Sequence, residues 1–336
     1  SHPTGVIGTI EYNDGLESRP APLTTPDAVT LARTLAAMRD RHTSHAAIEL
    51  SSHALKQGRT AGLMLDVGIV TNITQDHFDY HRSFHDYVSS KARIAGHIKR
   101  GGMLVMNADD PTHEDILERL DCEVRVQTFG VHKPADVRAE AVQLSPQGTK
   151  FLLEQGGARV ACFTPLVGAH NVSNCLAAAC AALHFGLTLE QIAQGLQNCA
   201  FVPGRLERID RGQPFSVFVD FAHTDDALRH ILTTVRAITP GRVLLVFGAG
   251  GDRDRAKRPL MARAAALADE VIITSDNPRS EDPLQILDEI TRGFQGTGIE
   301  PVRIADRREA IHEAIRRAQP GDAVIIAGKG HEKEQI

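Results

Sequence analysis

The chain has 336 residues, of which 42% are apolar and 4% aromatic, so it can bury a sizeable core, and two domains are expected. A formal net charge of −5 leaves no basic footprint, which argues against nucleic acid or an anionic membrane as a partner, and no apolar run approaches the ~18 residues of a membrane span. The five cysteines (Cys122, Cys162, Cys175, Cys180 and Cys199) contain no C-x-x-C pair and sit mostly in apolar stretches, as structural thiols in a reducing cytoplasm would.

Ser1 brings no initiator Met or signal-like segment, and Ile336 interrupts an α/β alternation, so both natural ends are expected to lie beyond the sequence. In chain order, strands are predicted over 46–50 and 67–72, a helix over 84–98, a strand over 103–107 and a helix over 112–120. Short β-like runs over 124–129, 137–142, 150–153 and 159–163 read as an antiparallel excursion, and two Ala-rich helices follow over 171–185 and 188–198. The break at Phe201-Val202-Pro203-Gly204-Arg205 sets a boundary between domains 1–204 and 205–336. Beyond it, strands near 215–221, 242–247, 271–274, 302–304 and 323–327 alternate with amphipathic helices, the pattern of a doubly wound parallel sheet.

In the first half, Phe84, Tyr87, Val88, Ile94, Ala95 and Ile98 trace one helix face, and Lys91 falls on the same stripe. Such a lysine either snorkels outward or ends beside a buried anion, metal or substrate. A buried, neutral amine can also take up carbon dioxide as a carbamate, which turns it into a metal-binding carboxylate. Glu49 closes one strand and His77 follows another, consistent with a divalent cation at two strand exits, Mg²⁺ being apt beside phosphate. Ser51 and Ser52 after Glu49 read equally as a helix cap. Two rival readings take His77, His81 and His85 as a zinc face or as purely structural residues. His170, Asn171 and Ser173 can cap a helix, while Asp220 and His223 can meet a ribose or phosphate or form a turn.

In the second half, three polar loops each follow an apolar strand: Gly248-Ala249-Gly250-Gly251-Asp252-Arg253-Asp254, Ser275-Asp276-Asn277-Pro278-Arg279 and Gly328-Lys329-Gly330-His331-Glu332. In a parallel sheet all three gather at the carboxyl edge, where open α/β folds bind ligands. Arg253, Asp276, Asn277, Arg279 and Glu332 together suit an amino acid headgroup, since guanidinium forks grip carboxylates while acid and amide oxygens accept from an ammonium. The first loop also has the glycines of a dinucleotide turn, but its charges favour a polar substrate over a pyrophosphate.

Ile48-Glu49-Leu50-Ser51-Ser52-His53-Ala54-Leu55, 71–81, Asn107-Ala108-Asp109-Asp110, Gly168-Ala169-His170-Asn171, Asp220-Phe221-Ala222-His223-Thr224 and the three loops above, taken in order, resemble the Mur ligases over nearly the whole chain. The resemblance implies a central mixed-sheet ATPase-type domain followed by a Rossmann-like C-terminal domain. It also implies an ATP-dependent amide ligase of peptidoglycan synthesis, in which the D-glutamyl carboxylate of a UDP-linked muramoyl dipeptide becomes an acyl phosphate that the amine of meso-diaminopimelate attacks. By the same likeness Glu49 and His77 hold Mg²⁺ and a carbamylated Lys91 anchors a second Mg²⁺. Thr24, Thr25, Ser51, Gln57 and Arg59 contact the muramoyl dipeptide, and Asn171, Arg205 and Asp220 contact ATP. Arg253, Asp276, Asn277, Pro278, Arg279, Gly328 and Glu332 hold diaminopimelate. The sequence departs from the family at Asp225, where proline is usual, and at Leu23, where asparagine is common. The family's uridine-binding domain and its P-loop G-x-x-x-x-G-K-[ST] have no match and are expected upstream of Ser1.

Lysine lacks the distal carboxylate of diaminopimelate and would leave Arg279 unpaired, a loss of roughly 2 to 5 kcal/mol for a desolvated pair, so Arg279 favours diaminopimelate. Partners are expected to be small molecules only, and the protein a monomer. The alternatives are a ligase like folylpolyglutamate synthase, and a binding fragment that turns nothing over by itself because no residues cradle the β and γ phosphates.

Overall fold

A strict in/out alternation starts the chain: in Thr4–Ile7 (β1), Gly5 and Ile7 are buried while Thr4 and Val6 face outward. The computed structural model describes residues 3–73, 80–118, 120, 124–332 and 334–335. They fold as two compact units, one of 1–140 with 152–160 and 172–192, the other of 141–151 with 161–171 and 193–336.

In the first unit β1 pairs antiparallel with Glu11–Asn13 (β2), which pairs with Ser18–Pro20 (β3). The Asp27 carboxylate caps Ala28–Asp40 (α1) by accepting from the Val29 and Thr30 N–H groups. That helix packs Leu31 and Met38 on Ile7 and Tyr12 and returns the chain to His45–Ile48 (β4), parallel to β1. Strands of three or four residues carry too few alternations to stand out in the sequence, and this hairpin and α1 were not among the predicted elements.

After Ser52–Lys56 (α2) come Leu65–Val70 (β5), Phe84–Ala92 (α3), Ile98–Asn107 (β6), His113–Leu117 (α4) and Arg125–Gly130 (β7). The helix predicted over 84–98 ends at Ala92, where the chain tightens into a 3₁₀ turn over Arg93–His97. Tyr87, Val88, Ile94 and Ala95 are nonetheless buried together, as the apolar stripe required. Strands Val137–Ser145 (β8), Gly148–Gln155 (β9) and Ala158–Thr164 (β10) extend the sheet in the order β10-β9-β8-β7-β6-β5. The expected antiparallel excursion fails for its first run, since β7 is parallel to both β6 and β8, while β8, β9 and β10 are sheet neighbours joined by two-residue turns, as antiparallel hairpins are. The Asp109 carboxylate explains the turn: it accepts from the N–H groups of Val131, His132 and Lys133, holding a loop that re-enters the sheet in the same direction. Ala169–His184 (α5) and Leu189–Asn198 (α6) follow.

The second unit carries a six-stranded sheet in the order β11-β12-β16-β13-β14-β15, built from Glu207–Arg208, Ser216–Asp220, Ala323–Ala327, Val243–Phe247, Glu270–Ile273 and Val302–Arg303 respectively. All its pairs are parallel except the edge strand β11. The central strand β13, Val-Leu-Leu-Val-Phe, is buried at every position because helices cover both faces. Val243, Leu245 and Phe247 pack against Asp225–Arg236 (α7), Lys257–Ala265 (α8) and Pro283–Arg292 (α9), whereas Leu244 and Val246 meet Arg307–Arg317 (α10). The departure at Asp225 is accommodated here: it is the first residue of α7 behind the Thr224 cap, where an acid complements the helix dipole as proline complements the fixed φ.

Arg258 is the least exposed of the charges inside this apolar frame. The Arg258 side chain, 1% exposed, donates from Nη1 and Nη2 to Glu281, from Nη1 to Glu289 at 2.7 Å and from Nη2 to the Gly250 carbonyl at 3.2 Å. The guanidinium beside Glu281 pulls that carboxyl from 4.5 down to about 2. A carboxyl depressed on folding contributes stability above its unfolded value and loses it as pH falls through the folded one. Acid unfolding should therefore include a component between about pH 4.5 and 2 that disappears in Glu281→Gln, measured by denaturant midpoints across that range. Arg258→Met, which strands two acids keeping some contact with water, should cost about 2 kcal/mol in a urea melt at neutral pH.

Candidate functional site

Two clusters hold the residues singled out in the sequence. The first lies where β1 and β4 end in the first unit. There Glu49 Oε2 accepts from the Thr9 backbone N–H at 3.0 Å and from Thr9 Oγ1 at 2.8 Å, and Thr9 Oγ1 in turn lies 3.0 Å from Thr24 Oγ1. Thr25 is buried; its hydroxyl donates to the Glu49 carbonyl at 2.7 Å and accepts from the Ser51 N–H at 2.9 Å. Arg59 Nη1 donates to the Thr25 carbonyl, and Ser51 Oγ caps α2 through the Ala54 N–H. Glu49, Thr24, Thr25, Ser51 and Arg59 thus form one hydrogen-bonded patch, with Gln57 exposed at the C-cap of the same short helix. Thr9 is the member that sequence reasoning missed; the signal was its place just after a Gly at a strand exit, beside no other polar motif.

Lys91 sits on α3, which packs against α2 in the same unit. It is half-buried with Nζ 5.2 Å from the Tyr87 ring centroid, a cation–π placement rather than a full snorkel into water. His77 lies outside the described residues. The rival zinc face separates, since His81 is buried with Nε2 2.9 Å from Ser52 Oγ whereas His85 is exposed. Among the described residues no three His, Cys, Asp or Glu side chains gather as metal ligands. Glu49 fits a hard cation through its carboxylate oxygens, and Lys91 fits one only as a carbamate, because an amine is a poor partner for Mg²⁺.

The second cluster occupies the carboxyl edge of the parallel sheet in the second unit, where β12, β13, β14 and β16 all open. Asp220, buried at the end of β12, accepts from the Leu206 N–H at 2.7 Å and the Ala222 N–H at 2.8 Å, and burial raises its carboxyl above the usual range against these bonds and Arg205. Arg205 is exposed, its guanidinium 5.0 Å over the Phe221 ring. Asn171 is buried inside the first turn of α5 and donates to the Val167 carbonyl at 2.9 Å, so it does not act as the N-cap. Its neighbour His170 meets His230 edge to face with ring centroids 5.1 Å apart, and burial lowers its ring to about 4, leaving a neutral imidazole.

The loop after β14 interlocks with those after β13 and β16. Arg279, exposed and in the left-handed region at φ 51°, donates from Nη1 to the Gly251 carbonyl at 2.6 Å. Asp252 accepts from the Ser280 N–H and hydroxyl, and the Gly251 N–H bonds the Asn277 carbonyl at 2.9 Å. Asn277 Nδ2 donates to Glu332 Oε2 at 3.2 Å, and Lys329 Nζ donates to Asn277 Oδ1 at 2.6 Å. Asp276 Oδ2 stands 4.0 Å from the buried Arg307 guanidinium, which the sequence reading had not singled out because it opens α10, away from every motif. Arg253 is exposed on the first loop. Arg253, Asp276, Asn277, Pro278, Arg279, Gly328 and Glu332 are therefore carried on three adjoining loops at one sheet edge.

Comparison with known proteins agrees with this architecture. A family model described as the Mur ligase middle domain matches residues 1–182, and one described as the Mur ligase glutamate ligase domain matches 204–330. The UDP-N-acetylmuramoyl-L-alanyl-D-glutamate--2,6-diaminopimelate ligase of Geobacillus thermodenitrificans is 44% identical over 99% of this chain and 69% of its own length. A solved structure of an enzyme of that name superposes with a TM-score of 0.72 at 35% identity, covering 99% of this chain and 69% of the other. Mycobacterium tuberculosis folylpolyglutamate synthase shares the fold, with a TM-score of 0.67 at 20% identity over 88% of this chain and 69% of its own.

Gly328 has φ 114°, and a Cβ built there would lie 2.6 Å from Asp276 Oδ2. Gly328→Ala should push Asp276 out of line and strain the backbone, lowering stability by about 1 to 3 kcal/mol in a denaturant melt. A melt unchanged from the wild type would show that this close approach does not matter.

Proposed function

Because the chain belongs to the Mur ligase family, we propose that it performs the family's amide-forming chemistry, joining diaminopimelate to UDP-N-acetylmuramoyl-L-alanyl-D-glutamate with ATP during peptidoglycan synthesis. The observation that carries the reading is the 44% identity to the diaminopimelate ligase across 99% of the chain, together with three interlocked loops that bear guanidinium, carboxylate and amide groups at one sheet edge.

The reaction needs a carboxylate made electrophilic and an amine kept nucleophilic. A D-glutamyl oxygen takes the γ-phosphoryl group and ADP leaves; the uncharged diaminopimelate amine then attacks the acyl carbon, an amide forms and phosphate departs with the acyl oxygen. Thr24, Thr25, Ser51, Gln57 and Arg59 are assigned to the muramoyl dipeptide, Asn171, Arg205 and Asp220 to ATP. Arg253, Asp276, Asn277, Pro278, Arg279, Gly328 and Glu332 are assigned to diaminopimelate: Asp276 and Glu332 accept from its distal ammonium and Arg279 pairs its distal carboxylate. Glu49, His77 and Lys91, the last as a carbamate, are proposed to hold Mg²⁺, which when bound would neutralise phosphate charge. The domain boundary at 204/205, the cytoplasm as the place of action, and a monomeric state complete the proposal. The residues that cradle the β and γ phosphates are assigned to a part of the protein outside these 336 residues, as no P-loop sequence occurs within them.

Three outcomes follow. The 336-residue chain alone should release no phosphate from ATP when given both substrates, whereas the full-length protein should release it only with both present; turnover by the short chain would refute the assignment of the phosphate cradle. In the full-length protein Lys91→Ala should abolish phosphate release while leaving the melting curve intact. Arg279→Ala should lower the preference for diaminopimelate over lysine, as the ratio of kcat/KM values, at least tenfold, or about 1.4 kcal/mol.

A further inference from the structure

Lys329 points its ammonium at the groups proposed to receive the substrate's ammonium. Nζ donates to Asn277 Oδ1 at 2.6 Å, to Glu332 Oε2 at 3.3 Å and to the Glu334 carbonyl at 2.9 Å, and stands 3.9 Å from Asp276 Oδ1. An ammonium has three protons to donate, and all three are used here. The side chain is only 13% exposed, so this is a desolvated cation in a built cradle rather than a surface lysine lying on an acid. We propose that Lys329 is the resident cation of the amino-acid site, holding the ammonium position until substrate displaces it, and that this makes it a specificity-determining residue for a diamino diacid.

The proposal rests on the assignment of Asp276, Asn277 and Glu332 to diaminopimelate. Two ammonium groups cannot share the cradle, because its acceptors are already committed to one and like charges a few ångströms apart repel. Within the cluster the two acids Asp276 and Glu332 are balanced by Lys329 and by the buried Arg307, 4.0 Å from Asp276. A ligand that brings only an ammonium to this end, as lysine does, displaces Lys329 and leaves it without a counter-charge. A ligand whose far end is a zwitterion brings a carboxylate as well, and the displaced Lys329 can pair with it. A cavity of about 300 Å³ lined by Arg307, Lys329 and Glu332 among others gives the side chain room to move. Discrimination then has two sources, attraction of the carboxylate by Arg279 and refusal of a bare ammonium by Lys329.

The test is steady-state kinetics of full-length Lys329→Met with diaminopimelate and with lysine. Loss of the resident cation should raise KM for diaminopimelate and lower it for lysine, so that the ratio of the two kcat/KM values falls about tenfold. A merely structural lysine would give higher KM values for both amino acids, and a bystander would leave both unchanged; either result overturns the proposal. Lys329→Gln, which keeps a hydrogen-bond donor without the charge, should reproduce the shift. If neither variant folds, the cation serves stability and the proposal is likewise wrong. Glu332→Gln, assayed alongside, separates the two levels. If it leaves KM for diaminopimelate unchanged, the site assignment itself fails. If it raises KM while the Lys329 variants keep the wild-type ratio, only the role of Lys329 fails.

Discussion

Three loops can meet at the carboxyl edge of the second unit only because backbone approaches backbone more closely than side chains allow. A Cβ on Gly251 would fall 1.9 Å from the Pro278 carbonyl oxygen, so the loops after β13 and β14 are in direct main-chain contact. Arg258 secures that contact from below, bonding the Gly250 carbonyl on one side and Glu281, just past the second loop, on the other. The charge is buried, and both of its terminal nitrogens are engaged with partners, so the ion helps to fix one geometry. Asp276, Asn277 and Arg279 inherit their positions from this arrangement.

The chemistry at the edge is correspondingly polar and crowded. Asn277 bonds Glu332 and Lys329 together, while Arg279 spends one of its donors on the Gly251 carbonyl. A site so interconnected is already shaped when substrate arrives, which limits the ordering cost of binding. Asp220 is tied into the same edge, since its carbonyl accepts from the Gly328 N–H and its carboxylate from the chain around Arg205. The residues assigned to ATP and to the amino acid therefore share hydrogen bonds within one unit.

The first unit uses the same device differently. There Thr25 links the Glu49 carbonyl to the Ser51 N–H, so the residue assigned to the metal and those assigned to the muramoyl peptide are held by one buried hydroxyl. The Ser51 cap and the functional assignment of that residue are compatible, because the cap uses the side chain as acceptor from Ala54 and keeps it at the surface of the patch.

Much of this was legible from the residues alone. The fully apolar runs that became β13 and β16 could only be buried strands, and a polar motif directly after each places that motif at the carboxyl edge whatever the details of packing. The amphipathic stripe of α3 likewise fixed which side of the helix Tyr87, Val88 and Lys91 would share. Local pattern could not supply the partners at long range. Thr9 reaches Glu49 across 40 positions, Arg307 faces Asp276 from the start of a different helix, and Lys329 meets Asn277 at a separation of 52. The parallel course of β8 was decided by the Asp109 carboxylate gathering three N–H groups more than twenty residues away. Periodicity and turn chemistry are properties of neighbours in sequence, so they determine elements and the edge on which a loop emerges. Which charges come to face one another depends on how those elements pack, and that was settled by tertiary structure.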